Sequence, residues 1–152
     1  MKQVLLVFVS LVLAAVLPVA TYNNTLSGSQ TVAADAAQIA LNMTVTGDLP
    51  GMSKVTLQRS NLKVTGGSLR MTVLPPNANA SSSQRGDLIG TITGGSLTLN
   101  AAGMLASASA VKVTIQSGTG EFASVTSGNA TITITANADN PSQLNGTLVL
   151  TF

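Results

Sequence analysis

The chain has no cysteine, no histidine and no tryptophan, and it has a single tyrosine. Without Cys or His, several chemistries fall together: disulfides, thiol nucleophiles, zinc or haem sites built on those ligands, and Ser-His-Asp catalysis. Charge is also scarce. Asp, Glu, Lys and Arg make up 8% of the 152 residues, against about 25% in a typical soluble domain. Beyond Lys2 the positive side chains are Lys54, Arg59, Lys63, Arg70, Arg85 and Lys112, never closer together than four positions. Nucleic-acid binding needs a dense positive stripe and usually stacking aromatics. With aromatics at 3%, that class is excluded. The carboxylates Asp35, Asp48, Asp87, Glu121 and Asp139 are too widely spaced for a local calcium loop or a paired-acid motif. The sequence therefore assigns no catalytic residue, no metal ligand and no cofactor.

What is present begins with a leader. Met1, Lys2 and Gln3 form a short positive start, residues 4–17 are uncharged and apolar, and Pro18-Val19-Ala20 breaks the run before a polar stretch. That order is the order of a secretory signal peptide, and the run is shorter than the roughly 20 residues of a spanning helix. Ala20 suits the last leader position, whereas Pro18 stands where a small residue is expected. Cleavage after Ala20 is the expectation, and an uncleaved N-terminal anchor is the alternative. No Cys follows the run, so a bacterial lipoprotein is excluded. The expected organisation is a signal peptide over 1–20 and one domain over 21–152. The expected place is secreted, periplasmic or cell-surface, with no stable membrane insertion after leader removal.

The rest of the chain alternates with period two. Val55 and Leu57, Leu62 and Val64, Leu69, Met71 and Val73 are spaced by polar residues. So are Val111, Val113 and Ile115, then Ile132 and Ile134, then Leu148, Leu150 and Phe152. Ile89, Ile92, Leu97 and Leu99 add a further apolar stretch. Turn signals separate the runs: Gly47-Asp48, Pro50-Gly51, Gly66-Gly67, Pro75-Pro76-Asn77, Gly94-Gly95, Gly118 with Gly120, Asn140-Pro141 and Asn145-Gly146. This is an all-β pattern of barrel or sandwich type. Residues 33–40 and 101–110 could each form one helical turn, and residues 77–85 read as a polar loop.

Strand parity places Lys63, Arg70 and Lys112 opposite the apolar face. Arg59 alone continues the parity of Val55 and Leu57. It is expected just past a strand end, the alternative being a side chain aimed into a cavity. Asp48 and Asp139 stand where Asp caps a turn, and Asp87 stands at a strand start. Gly118-Thr119-Gly120 lacks the Lys and helix of a phosphate loop and reads as a hairpin turn. Five Asn-x-Ser/Thr sequons occur, at Asn23, Asn42, Asn79, Asn129 and Asn145. An outer-membrane barrel needs aromatic girdles at both interfaces, and beyond the leader only Tyr22, Phe122 and Phe152 are aromatic.

From Val111 an apolar strand leads into Gly118-Thr119-Gly120-Glu121-Phe122, then a turn around Gly128, then another strand. This resembles the closing strands of the allene-oxide-cyclase and dirigent-like barrels, and in particular exported bacterial proteins of that kind, over about 40 residues. The resemblance implies an antiparallel β-barrel of about eight strands around a narrow apolar interior. The acid and water site of the cyclases, and the active-site residues of the dirigent proteins, have no matching positions here. The first expectation is thus a non-enzymatic exported barrel, either binding a small apolar ligand or serving as a surface or extracellular component. Met43, Met52, Met71 and Met104 would supply a soft interior lining. The alternatives are a self-associating, homo-oligomeric adhesin or pilin-like β-sandwich, and a cyclase-like or dirigent-like enzyme.

Overall fold

The computed structural model describes residues 19–31, 37–78 and 82–152. The leader expected over 1–20 lies outside them through residue 18. Eight strands follow in chain order: β1 (Thr21–Thr31), β2 (Gln38–Gly47), β3 (Gly51–Ser60), β4 (Lys63–Val73), β5 (Gly86–Leu99), β6 (Leu105–Gly118), β7 (Gly128–Ala136) and β8 (Gln143–Thr151). Each pairs antiparallel with its neighbour in the chain, and β8 pairs with β1 to close a barrel. The fold is a closed eight-stranded antiparallel barrel, and the sandwich alternative is set aside.

Alternation makes the wall two-faced. Leu41, Val55, Leu57, Leu69, Met71, Leu88, Ile132 and Leu148 point inward and are fully or almost fully buried. Eight strands enclose a space just wide enough for side chains to fill, and here aliphatic residues fill it. Of the buried apolar side chains described, only Phe122 is aromatic. The outward positions are mostly hydroxyls and amides, with the strand lysines, Arg70, Met52 and Ile89 among them. Thr133, Thr147, Thr25 and Thr46 stand in one row across β7, β8, β1 and β2. Ser68, Thr91 and Thr114 form another across β4, β5 and β6.

Several local expectations are corrected. Gly66-Gly67 and Gly94-Gly95 are not turns. They lie inside β4 and β5, where the register shifts, as glycine permits at a bulge. Gly67 has φ +133°, and a Cβ there would run into the Thr56 carbonyl. Leu62 is 53% exposed because Asn61 and Leu62 form the tip of the β3–β4 hairpin, with Asn61 at φ 55°. Residues 105–110 belong to β6 and residues 38–40 to β2, so neither alanine-rich segment is helical there. Asn145-Gly146 lies within β8.

Arg59 falls within β3, not past it, at a register shift between Gln58 and Arg59. Its side chain is half-buried and its Nη1 donates to the Asn61 carbonyl at 3.0 Å. Met43 and Met71 are interior, as expected. Met52 is 62% exposed on the outer wall, because it follows the parity opposite to Val55.

Two polar side chains serve the inside. Asn24 Oδ1 accepts from the Leu49 amide at 2.8 Å, and its Nδ2 donates to the Leu148 carbonyl. Gln30 Oε1 accepts from the Leu105 amide at 2.8 Å, and its Nε2 donates to Leu105 and Pro141 carbonyls. Each uses an amide to satisfy backbone groups that a closing barrel end leaves unpaired. Ser53 Oγ, also buried, has no hydrogen-bond partner.

Candidate functional site

The two ends of the barrel differ. One carries Ala20, Phe152 and the loops before β3, β5 and β7; the other carries the remaining hairpins. All three aromatic side chains beyond the leader lie at the first end. Tyr22 continues the inward parity of β1 and meets the C-terminal Phe152. Their rings are stacked, with centroids 4.9 Å apart and planes at 27°. Phe122 meets Phe152 edge-on at 6.3 Å and 88°. Offset stacks and T-shaped contacts are the geometries that ring quadrupoles favour.

Phe122 arrives by a tight local turn. Gly120, at φ 59°, redirects the chain after β6 into a single 3₁₀ turn, Gly120–Phe122. The Phe122 amide donates to the Thr119 carbonyl at 3.0 Å, and the Val125 amide donates to the Phe122 carbonyl at 2.9 Å. Gly118-Thr119-Gly120 thus does turn the chain, but into a buried plug rather than a simple hairpin. Across from it, Arg85 Nη2 and Nε both lie 2.8 Å from Glu121 Oε2. The Arg85 guanidinium carbon sits 5.7 Å from the centre of the Phe122 ring, within cation–π range.

Between these groups and Ser124, Val125 and Ser127 opens a cleft of about 610 Å³. Its floor is aromatic and its rim holds one ion pair with several hydroxyls. That is the usual make-up of a small-molecule site: apolar lining with a few placed polar groups.

A second, smaller recess of about 370 Å³ crosses the outer wall of β2, β3 and β4 beside Met52, Lys54, Arg70 and Thr72. Of the two cationic side chains beside it, Arg70 is already paired. Arg70 Nη2 lies 2.8 Å from Asp87 Oδ2, Thr72 Oγ1 donates to Asp87 Oδ1 at 2.6 Å, and the Asp87 amide donates to Thr119 Oγ1 at 2.9 Å. The Thr72 hydrogen bond and then Arg70 hold the Asp87 carboxyl below the ordinary carboxylate range, against the opposing effect of burial. Asp87 therefore ties β4 and β5 to the loop that delivers Phe122.

The other carboxylates are dispersed. Asp48 Oδ2 accepts from the Asn23 amide at 2.7 Å across strands, rather than capping its own turn. In the β7–β8 turn the capping side chains are Asn137, whose Oδ1 accepts from the Asp139 amide, and Asn140, whose Oδ1 accepts from the Ser142 amide. Asp35 and the sequon at Asn79 lie outside the described residues. Among the described residues no three acidic side chains converge on a common point. The Asn23, Asn42, Asn129 and Asn145 side chains are exposed on strands. Sequence reading alone did not single out the end cleft, because its parts come from positions 20 to 152 and only closure of β1 on β8 brings them together. The scarcity of aromatics was the usable signal.

No protein-family model, curated protein or solved structure matches the chain.

Proposed function

We propose that this is an exported, non-enzymatic β-barrel that binds a small, largely apolar ligand at its aromatic end rather than in its interior. One observation carries the reading: Tyr22, Phe122 and Phe152 converge on one open cleft, while aliphatic side chains occupy the barrel lumen. A flat apolar body would lie against the rings, and a polar or anionic group would be received by the Arg85 side of the rim.

The non-catalytic part is supported by the carboxylates. Asp48, Asp87 and Glu121 are engaged with a backbone amide or an arginine. The barrel closes on itself, so it offers no free strand edge for the pairing that an adhesin or pilin-like assembly would use. The wall supports life in water after export: threonine and serine rows face outward and aliphatics inward, whereas a bilayer-spanning barrel needs the reverse. Kinship with the allene-oxide-cyclase and dirigent-like barrels belongs to the same proposal, supported by strand number and closure.

The test is intrinsic fluorescence. The chain has one tyrosine and no tryptophan, so its emission reports the cleft alone. Titration of residues 21–152 with 1-anilinonaphthalene-8-sulfonate, an apolar probe with one anionic group, should quench Tyr22 saturably. Arg85→Gln should weaken the binding. Absence of saturable quenching would overturn the proposal.

A further inference from the structure

The bond at which the leader is expected to end lies inside the barrel seam. Ala20 and Phe152 exchange both backbone hydrogen bonds: the Ala20 amide donates to the Phe152 carbonyl at 3.0 Å, and the Phe152 amide donates to the Ala20 carbonyl at 3.2 Å. Immediately beyond, Thr21 pairs with Thr151 as the first rung of the β1–β8 ladder. The Ala20–Thr21 peptide is therefore flanked on both sides by ladder contacts.

We propose that closure of the β1–β8 seam ends the period in which the leader can be removed. The inference rests on the export reading above. Hydrolysis breaks the bond between the Ala20 carbonyl carbon and the Thr21 nitrogen. Water supplies the hydroxyl of the new Ala20 carboxylic acid and the proton of the new Thr21 amine. A peptidase reaches that step by placing the scissile carbonyl oxygen among its own donors, as in any acyl transfer. In the folded barrel the oxygen already accepts from the Phe152 amide, and the Ala20 amide is engaged as well. Opening that end of the ladder has to come first.

Frayed strand ends normally open easily. This one is clamped, because the Phe152 side chain is stacked on Tyr22 and abuts Phe122. The partner strand is also made after the other seven. β8 spans Gln143–Thr151, so the seam cannot close until those residues are available. Before then the bond is free. A chain that folds first keeps its apolar run of residues 4–17 and stays tethered at its aromatic end.

The experiment compares three forms of residues 1–152 in detergent micelles, each incubated with a purified leader peptidase and followed by mass spectrometry. They are the intact folded chain, a form lacking residues 143–152, and a form lacking Phe152 alone. The form without β8 cannot close the seam and should be cut between Ala20 and Thr21. The intact chain should be cut more slowly by roughly tenfold or more, the scale set by local opening. Loss of Phe152 alone should recover most of the rate while the circular dichroism spectrum stays barrel-like. Equal rates for the intact and β8-deleted forms would overturn the inference, and so would a Phe152 deletion that leaves the rate unchanged. If neither the intact nor the β8-deleted form is cut, the expectation of cleavage after Ala20 fails and the inference with it, leaving the uncleaved anchor, a result distinct from either of these.

Discussion

Tyr22 on the first strand stacks against Phe152 at the last residue, with ring centroids 4.9 Å apart. The contact joins β1 to the residue that follows β8 across the seam that closes the barrel. Aromatic pairs contribute about 0.5–1.5 kcal/mol beyond the area they bury. A double-mutant cycle of Tyr22→Leu and Phe152→Leu should return a coupling of about that size. Urea unfolding followed by circular dichroism is the measurement, since the Tyr22 substitution removes the fluorophore. A coupling of zero would mean that the rings are neighbours without being partners.

Asp87 gives a pH signature. Its carboxyl is held below the ordinary Asp value of 3.8, first by Thr72 and then by Arg70. A folded value lower than the unfolded one means that the ionised group stabilises the fold above the unfolded pKa. That contribution is lost as pH falls through the folded pKa. The stability difference between the parent and Asp87→Asn should stay flat from about pH 7 to 5 and shrink below about 4. Because Arg70 is 67% exposed, Arg70→Ala should cost less than about 1 kcal/mol. Thr72→Val should reduce the acid dependence more than Arg70→Ala does, in line with the order of the two causes.

Neighbouring residues on β5 test the two-faced wall. Leu88 is fully buried and Ile89 is exposed. Leu88→Ala should cost about 2–5 kcal/mol through lost burial and a cavity. Ile89→Thr should stay within about 0.5 kcal/mol. Chemical denaturation of both variants checks this, and similar costs at the two positions would mean that the strand register is wrong.

Gln30 is the interior polar group with the most to lose. Replacement by Leu keeps the bulk but leaves the Leu105 amide without its acceptor and two carbonyls without their donor. The expected cost is about 1–3 kcal/mol, with faster amide exchange at Leu105. A stabilised variant would show that apolar packing outweighs those bonds.

How much of this was legible follows from where polar residues sit. Strands β4, β6, β7 and β8 announce themselves because aliphatics occupy most inward positions, and β3 does so through Val55 and Leu57. β1 does not, since Asn24, Gly28 and Gln30 take inward places beside Tyr22 and Leu26. In β2 the alternation of Ile39, Leu41, Met43 and Val45 was readable but stood behind an alanine-rich stretch. The paired glycines look like turns because the same backbone freedom serves a bulge as well as a hairpin. Met52 fails as a lining residue for a simpler reason: its parity is that of Lys54 and Thr56, so it faces out. The cleft was illegible because no local pattern encodes contacts between positions 22, 85, 122 and 152.

The decisive measurement is amide chemical-shift mapping of isotope-labelled residues 21–152 during titration with 1-anilinonaphthalene-8-sulfonate. Binding at the aromatic end should move Tyr22, Arg85, Val125 and Phe152, and leave Leu41, Leu57 and Met71 in place. Shifts centred on those interior residues, or on Met52 and Lys54 of the outer wall, would overturn the assignment of the binding surface to the barrel end.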